Sequence, residues 1–205
     1  DGDRDLVAVR STLAAPVAIA RNDGHGTFTA FKASGSPLRG RDVLPIGTDE
    51  RGNVLLVVSG TERRQIAEVA IDGNGRVIAS REIDVPYAPD RLVAAIGPAN
   101  VRRIVATGVA DVVPGPLQVL TWSADDGLAW ERVVTGNGDL ARDVAAGDVD
   151  GNGVDDLLID GFRNCVLLDR PDGGHGPSID YGRRRSQPVV ADFDFDGDGD
   201  IAAID

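Results

Sequence analysis

The chain has 205 residues, of which 42% are hydrophobic and only 4% are aromatic, and its formal net charge is -12. A charge of this sign repels nucleic acid and anionic membrane surfaces, which leaves cations, neutral sugars and protein surfaces as expected partners. No apolar run approaches the length of a membrane span and no leader opens the chain, so we expect a mature or trimmed soluble protein with no direct membrane insertion. The lone cysteine, Cys165, excludes an internal disulfide and lies in an apolar run typical of a buried core residue.

Short apolar runs recur along the chain with a period of about fifty residues. They begin at Leu6, Val54, Ile104, Leu157 and Ile201. A second set of apolar runs precedes them, at 43–46, 92–96, 144–146 and 189–191. Glycine-rich turns at 22–26, 72–75, 124–127 and 172–176 each separate two further apolar segments, a pattern that indicates β-hairpins.

Each complete repeat thus predicts four short strands, and no stretch has a sustained helical period, so the expected fold class is all-β. Four antiparallel strands in every repeat are typical of the blade of a β-propeller. We expect about four blade equivalents in one domain, at 1–38, 39–86, 87–138, 139–184 and 185–205. Because the first and last units are partial, we expect a fragment of a larger propeller whose ring does not close within these residues.

Two acidic loops in the same frame carry the clearest chemical signal. Each has side-chain oxygens at positions one, three, five and nine, a glycine at position six and a usable backbone carbonyl at position seven. The predicted ligand residues are Asp148, Asp150, Asn152, Val154 and Asp156 in the first loop, and Asp192, Asp194, Asp196, Asp198 and Asp200 in the second. Calcium requires six to eight oxygen ligands, and alternate residues of a tightly turning loop direct theirs inward. The sequence therefore predicts two Ca²⁺ sites.

Two other interpretations of these loops are weaker. A helix-flanked calcium hand requires a glutamate at position twelve, where Ile159 and Ala203 stand, and its flanks should be amphipathic helices rather than short apolar runs. A solvated acidic turn would use the same residue types, but carboxylates this close repel one another without a cation. We therefore expect each loop to join two strands around a bound ion.

The remaining repeats have weaker versions of this loop. Asp1, Asp3 and Asp5 match positions five, seven and nine, which indicates a possible partial third site at the amino terminus. The segments 47–53 and 97–103 occupy the loop position in the second and third repeats, but the first is shorter with Arg51 in its middle and the second has no carboxylate. Neither is expected to hold calcium.

These motifs resemble the FG-GAP and VCBS repeat family, which includes the propeller of integrin α subunits. The segment 148–156 is similar to the family's calcium loop, and 22–28 to its Asn-Asp-Gly-x-Gly-Thr-Phe hairpin. The resemblance implies a propeller, commonly of seven blades, whose calcium ions are structural and which serves as an extracellular binding or adhesion platform. Two departures from the family loop are Phe195, where glycine is usual, and the late glycine Gly199.

No residues outside the loops form a recognisable catalytic set. His25 and His175 are expected at equivalent hairpin tips without an orienting partner, and we expect no acid and base pair among carboxylates such as Glu131, Asp139 and Asp143. Arg183, Arg184 and Arg185 are interpreted as a solvated linker, and Trp122 and Trp130 as aromatic residues packed between blades. The sequence thus predicts no catalytic residues and no enzyme.

The leading functional hypothesis is a secreted, calcium-binding propeller that acts as a non-catalytic protein-binding, adhesion or assembly module. It would be extracellular, periplasmic or at the cell surface, where calcium is plentiful, and would bind a protein or glycan surface or other subunits of an extracellular assembly. The alternative is a carbohydrate-binding or scaffold propeller of a polysaccharide-degrading enzyme. The sequence leaves the partner and the oligomeric state open.

Overall fold

The computed structural model describes residues 4–9, 17–32, 40–60, 64–110, 113–134, 140–162, 164–182 and 186–204. In this part of the chain the regular structure is β-strand, apart from one 3₁₀ turn at Pro98–Asn100. No helix among these residues is both long and apolar enough to cross a membrane. The chain divides into two compact units, Asp1–Asp90 and Arg91–Asp205.

The first unit contains two antiparallel sheets whose strands follow one another in sequence. The first sheet consists of β1 (Leu6–Val9), β2 (Val17–Asn22) and β3 (Phe28–Lys32). The second consists of β4 (Gly40–Thr48), β5 (Val54–Gly60), β6 (Gln65–Ile71) and β7 (Val77–Asp84). Within each sheet, neighbouring strands are consecutive in the sequence, so the strand pairing is local.

The core of the first unit lies between its two sheets. Val17 and Ile19, alternate residues of β2, pack in one cluster with Leu56, Val58 and Val69 of the second sheet. This alternation places one face of each strand in the core, as the period of two requires.

The second unit contains three further antiparallel sheets, again with mostly sequential strands. The third sheet has β8 (Ala88–Ile96, which starts in the first unit), β9 (Arg102–Ala110), β10 (Val113–Pro114), β11 (Leu117–Ser123) and β12 (Gly127–Val134). The fourth has β13 (Asp143–Gly147), β14 (Asp156–Asp160), β15 (Asn164–Asp169) and β16 (His175–Gly182). The fifth has β17 (Ser186–Ala191) and β18 (Asp200–Ile204).

Strand β14 is buried along its whole length because both faces of the fourth sheet are covered. Leu157 and Ile159 pack in one cluster with Val105 of the third sheet. Leu158, which points the other way, packs in a second cluster that Val190 of the fifth sheet adjoins. A strand covered on both faces is apolar without alternation, as the run Leu157–Leu158–Ile159 is.

The predicted hairpins are confirmed at the glycine-rich turns. Strands β2 and β3, β6 and β7, β11 and β12, and β15 and β16 pair across them. At the second turn the Asp72 carboxylate accepts the backbone N–H groups of Asn74 and Arg76, each at 2.9 Å. These bonds lower the pKa of Asp72, and the bond from Arg76 has the larger effect. The predicted all-β class with four-stranded antiparallel sheets is therefore confirmed.

We expect Ile159→Ala to destabilise the protein by about 2–5 kcal/mol, because the side chain is fully buried and its removal leaves a cavity between two sheets. The matched control is Ile78→Ala in β7, where the side chain is 51% exposed, and its cost should be under about 1 kcal/mol. Urea unfolding followed by circular dichroism measures both. Equal costs for the two variants would contradict the packing described for β14.

Candidate metal centre

Both acidic loops join two strands, as the sequence predicts. The loop 148–156 runs from β13 into β14, and the loop 192–200 runs from β17 into β18. In each loop one carboxylate oxygen from each of positions one, three and nine lies within 4.8 Å of the others. These groups are Asp148, Asp150 and Asp156, and Asp192, Asp194 and Asp200. Three carboxylates converge at each loop.

The two loops share their internal hydrogen bonds position by position. In each, position nine accepts the N–H of position two, and position one accepts the N–H groups of positions five and six. Position three also accepts the N–H of position five, and the side chain of position five accepts the N–H of position seven. The donor–acceptor distances are 2.7–3.2 Å in the first loop and 3.0–3.2 Å in the second. The shared pattern shows that Asp148 and Asp192 occupy equivalent positions, as the predicted alignment of the two loops requires.

Positions four and six of both loops adopt the left-handed backbone conformation. Glycine occupies position six in each, with φ of 83° at Gly153 and 100° at Gly197. At position four Gly151 has φ of 72°, but its counterpart Phe195 has φ of 63° with a side chain that is 90% exposed. A left-handed conformation is costly for a bulky residue, so the second loop carries backbone strain that the first avoids.

Asp156 at position nine has the least usual environment of the loop carboxylates. The residue is fully buried, and its two oxygens accept N–H groups from Val149 at 2.9 Å and Asp169 at 2.8 Å. Burial raises the pKa of Asp156, these two hydrogen bonds oppose the shift, and the charges of Asp150 and Asp148 add to it. A buried carboxylate beside two others is electrostatically unfavourable without a cation.

Position eight ties each loop to the preceding repeat. Asp155 exchanges two hydrogen bonds with Ile96, its N–H to the Ile96 carbonyl at 2.8 Å and its carboxylate from the Ile96 N–H at 2.6 Å. In the second loop the N–H of Gly199 donates to the Asp148 carbonyl at 3.1 Å. A Cβ at Gly199 would lie 2.5 Å from that oxygen, so this close approach requires glycine.

Only one residue of the partial amino-terminal site is described. The Asp5 carboxylate accepts the N–H of Asn22 at 2.9 Å, as Asp156 accepts that of Asp169. Asp5 thus has the contact of a position-nine residue in the first repeat. Asp1 and Asp3 lie outside the described residues.

The second repeat replaces the loop with a turn that satisfies its own polar groups. The Asp49 carboxylate accepts the N–H groups of Arg51 and Asn53 and the side-chain amide of Asn53. The Asn53 bonds are the main cause of the lowered pKa of Asp49. The carboxylate of this turn is thus held by hydrogen bonds from residues of the same turn.

The structure corrects the expectation for His175, which is not isolated at a hairpin tip. It begins β16, and its Nδ1 lies 2.5 Å from an oxygen of Asp169, whose side chain is only 6% exposed. Its Nε2 lies 3.3 Å from Nη2 of Arg132. His25 is exposed, so the two histidines are not equivalent. The expectation was wrong because Arg132 lies 43 residues away in sequence, and because the pairing of β15 with β16 places Asp169 opposite His175.

Arg103 completes this buried network at the start of the apolar run of β9. Its guanidinium donates two hydrogen bonds to Glu131, at 3.1 and 3.0 Å, and one to Asp169 at 3.1 Å. Arg132 also forms an ion pair with Glu131. The network joins β9 and β12 of the third sheet to the hairpin of the fourth.

Strand pairing also places a second carboxylate opposite Asp143. Asp143 and Asp160 lie directly opposite each other on β13 and β14. Asp160 is 8% exposed; burial raises its pKa, the charge of Arg142 opposes the shift and that of Asp143 adds to it. Pairing between β13 and β14 brings together carboxylates that are far apart in sequence.

The other residues singled out by the sequence have simpler environments. Cys165 is buried, as predicted, and burial raises the pKa of its thiol. Arg102 stacks on the Trp122 ring at 5.3 Å, and Trp130 is 37% exposed. Asp139, Arg183, Arg184 and Arg185 lie outside the described residues.

No family model matches the chain, and no curated protein matches it. Among solved structures it is similar to a crystal structure of an exo-β-1,3-galactanase from Phanerochaete chrysosporium with β-1,3-galactotriose, at 13% identity and a TM-score of 0.44. The match covers 77% of this chain and 36% of that one, so the chain spans little more than a third of that structure's length. A likeness this distant carries no argument about activity.

We expect Arg103→Met to destabilise the protein by about 3–5 kcal/mol, because it leaves the buried Asp169 carboxylate without its closest arginine. The control is Arg41→Met, which removes an ion pair to Asp90 whose arginine side chain is 51% exposed and should cost under about 1 kcal/mol. Urea unfolding midpoints measure both. A loss for Arg103→Met no larger than for the control would contradict the described burial of the network.

Proposed function

We propose that this protein binds two calcium ions as structural ions, one at the loop 148–156 and one at the loop 192–200. The observation that carries the proposal is the position-by-position agreement of their hydrogen bonds, which brings three carboxylates of each loop together. Two loops of different sequence have the same backbone turn, and in both it gathers negative charge at one point. A bound cation at each loop would explain why both gather negative charge in this way.

The donor set of each loop fits calcium. Every side chain at positions one, three, five and nine offers oxygen, which hard cations prefer over nitrogen and sulfur. The carboxylates that accept N–H groups keep further lone pairs for an ion, because each oxygen has two. The ion would supply positive charge at the buried Asp156 and reverse the electrostatic penalty there.

The proposal extends to the architecture and the family. The second and fourth sheets each consist of the four strands of one repeat, and the third adds the short strand β10 to its four. The two acidic loops lie between the first and second strands of their own sheets. This arrangement supports a β-propeller of the FG-GAP and VCBS kind, with each sheet as one blade and the chain as part of a ring of about seven. Closure of that ring is part of the proposal.

We infer a non-catalytic role as an extracellular platform for binding, adhesion or assembly. The clustered carboxylates serve as calcium ligands in this account, and an ion enclosed by protein oxygens has no open position to activate water. Outside the cell, where calcium is plentiful, such ions keep the strands in place while the surface recognises a protein or another subunit. The self-satisfied Asp49 turn leaves the second repeat free to vary as a contact surface.

A second candidate function is carbohydrate binding. It is favoured by the Asp143 and Asp160 pair, because carboxylates accept hydrogen bonds from sugar hydroxyl groups. Phe162 follows in the next turn with 84% of its side chain exposed and offers an apolar ring beside them. These groups lie at the end of β13 and β14 opposite the calcium loop, so both functions can coexist.

Chelation should lower the melting temperature, because calcium binds the folded chain and not the unfolded one. For sites with dissociation constants of about 0.1–1 mM, about 10 mM calcium stabilises the fold by about 1.4–2.7 kcal/mol per site. Scanning calorimetry in calcium and in chelator measures this difference. Asp148→Asn combined with Asp192→Asn should abolish it, whereas Asp125→Asn in an exposed hairpin should preserve it. An unchanged melting curve with no calcium found by elemental analysis would reject the proposal.

A glycan array separates the two candidate functions. The leading candidate predicts no hydrolysis of polysaccharides and no glycan signal that depends on Asp160. The second predicts a signal on defined oligosaccharides that Asp160→Asn reduces at least tenfold, since the loss of one good charged hydrogen bond costs about 1.5–3 kcal/mol. Glu82→Gln, on exposed β7, is the control and should retain the signal. Hydrolysis of a polysaccharide that Asp160→Asn abolishes would overturn the non-catalytic role.

A further inference from the structure

Asp169, which belongs to neither acidic loop, contacts two of the proposed ligand residues through its backbone. Its N–H donates to Asp156 at 2.8 Å, and its carbonyl accepts the side-chain amide of Asn152 at 2.9 Å. It ends β15, so these bonds connect the loop to the third strand of its own sheet. The position of one backbone unit thus constrains the orientation of two ligand side chains.

The carboxylate of Asp169 is held independently of the loop. The side chain is 6% exposed and pairs with Arg103 at 3.1 Å and with His175 at 2.5 Å. Arg103 is itself only 9% exposed at its side chain and is fixed by Glu131. An ionised hydrogen-bonding partner gives the stronger kind of hydrogen bond, so these contacts restrict the movement of Asp169.

We infer that Asp169 is a positioning residue for the calcium site at 148–156 and that it raises the affinity of that site. The inference rests on the proposed calcium binding. Residues that fix metal ligands from behind reduce the reorganisation needed when the ion enters, and losing one typically costs 10–100-fold in affinity. Here the buried network holds Asp169, and Asp169 holds the oxygen of Asp156 and the amide of Asn152.

The second loop provides an internal comparison. It has the same internal hydrogen bonds, and Asp200 accepts the N–H of Phe193 as Asp156 accepts that of Val149. The second loop also bears the strained backbone of Phe195. The site at 148–156 should therefore bind calcium more tightly than the site at 192–200.

The test uses variants of the whole chain that keep one site. Asp192→Asn with Asp194→Asn leaves the site at 148–156, and adding Asp169→Asn should weaken calcium binding there about tenfold in calorimetric titration with CaCl₂. His175→Gln removes one anchor of Asp169 at a side chain that is 29% exposed, and should weaken binding severalfold. His25→Gln, at an exposed histidine, should leave the affinity unchanged.

The reciprocal background separates positioning from general destabilisation. Asp148→Asn with Asp150→Asn leaves only the site at 192–200, where Asp169→Asn should not change the affinity. Equal losses in both backgrounds, or no loss in either, would overturn the inference while calcium binding stands. If the unmodified chain binds no calcium, the proposed function and the inference both fall. Should Asp169→Asn fail to fold by circular dichroism, His175→Gln decides the matter alone.

Discussion

The fourth sheet depends on the hydrogen bonds that the carboxylate at position nine accepts. Asp156 begins a strand that is buried along its whole length, and its two oxygens accept N–H groups from the loop and from the end of β15. Without those bonds two backbone donors would be left unsatisfied beside the core, at a cost of about 1–3 kcal/mol each. Asp5 makes the equivalent bond to Asn22 in the first sheet. One buried carboxylate thereby joins the loop to the third strand of its sheet.

Repeats without this carboxylate hold the corresponding turn in place with other groups. In the second repeat the Asp49 carboxylate accepts N–H groups of its own turn. In the third, Arg103 stands directly before the apolar run of β9, where Asp156 stands before that of β14, and a Cβ at Gly97 would lie 2.7 Å from its guanidinium. The third repeat thus places a fixed guanidinium beside its short loop. In the proposed account, a positive charge joins neighbouring strands in both the third and the fourth repeat. In the third it is the guanidinium of Arg103, and in the fourth it is the calcium ion.

The sequence was sufficient wherever the determining contacts are local. The frame of the loops and the positions of the hairpins follow from residues within about ten positions of one another, because turn chemistry is set by nearby side chains. The contacts of Asp169 with Arg103 and of Asp143 with Asp160 were missed, since they depend on strand pairing and on the packing of one sheet against the next. A polar residue that ends the apolar third strand, as Asn22 and Asp169 both do, was the available signal for the first of these.

A crystal structure grown in calcium, with anomalous differences collected, tests the central claim most directly. The account predicts one ion at each loop, with ligand oxygens at about 2.3–2.6 Å, including those of Asp148, Asp150 and Asp156 in the first and of Asp192, Asp194 and Asp200 in the second. Ordered loops without an anomalous peak at saturating calcium, or peaks only at other carboxylates, would contradict it.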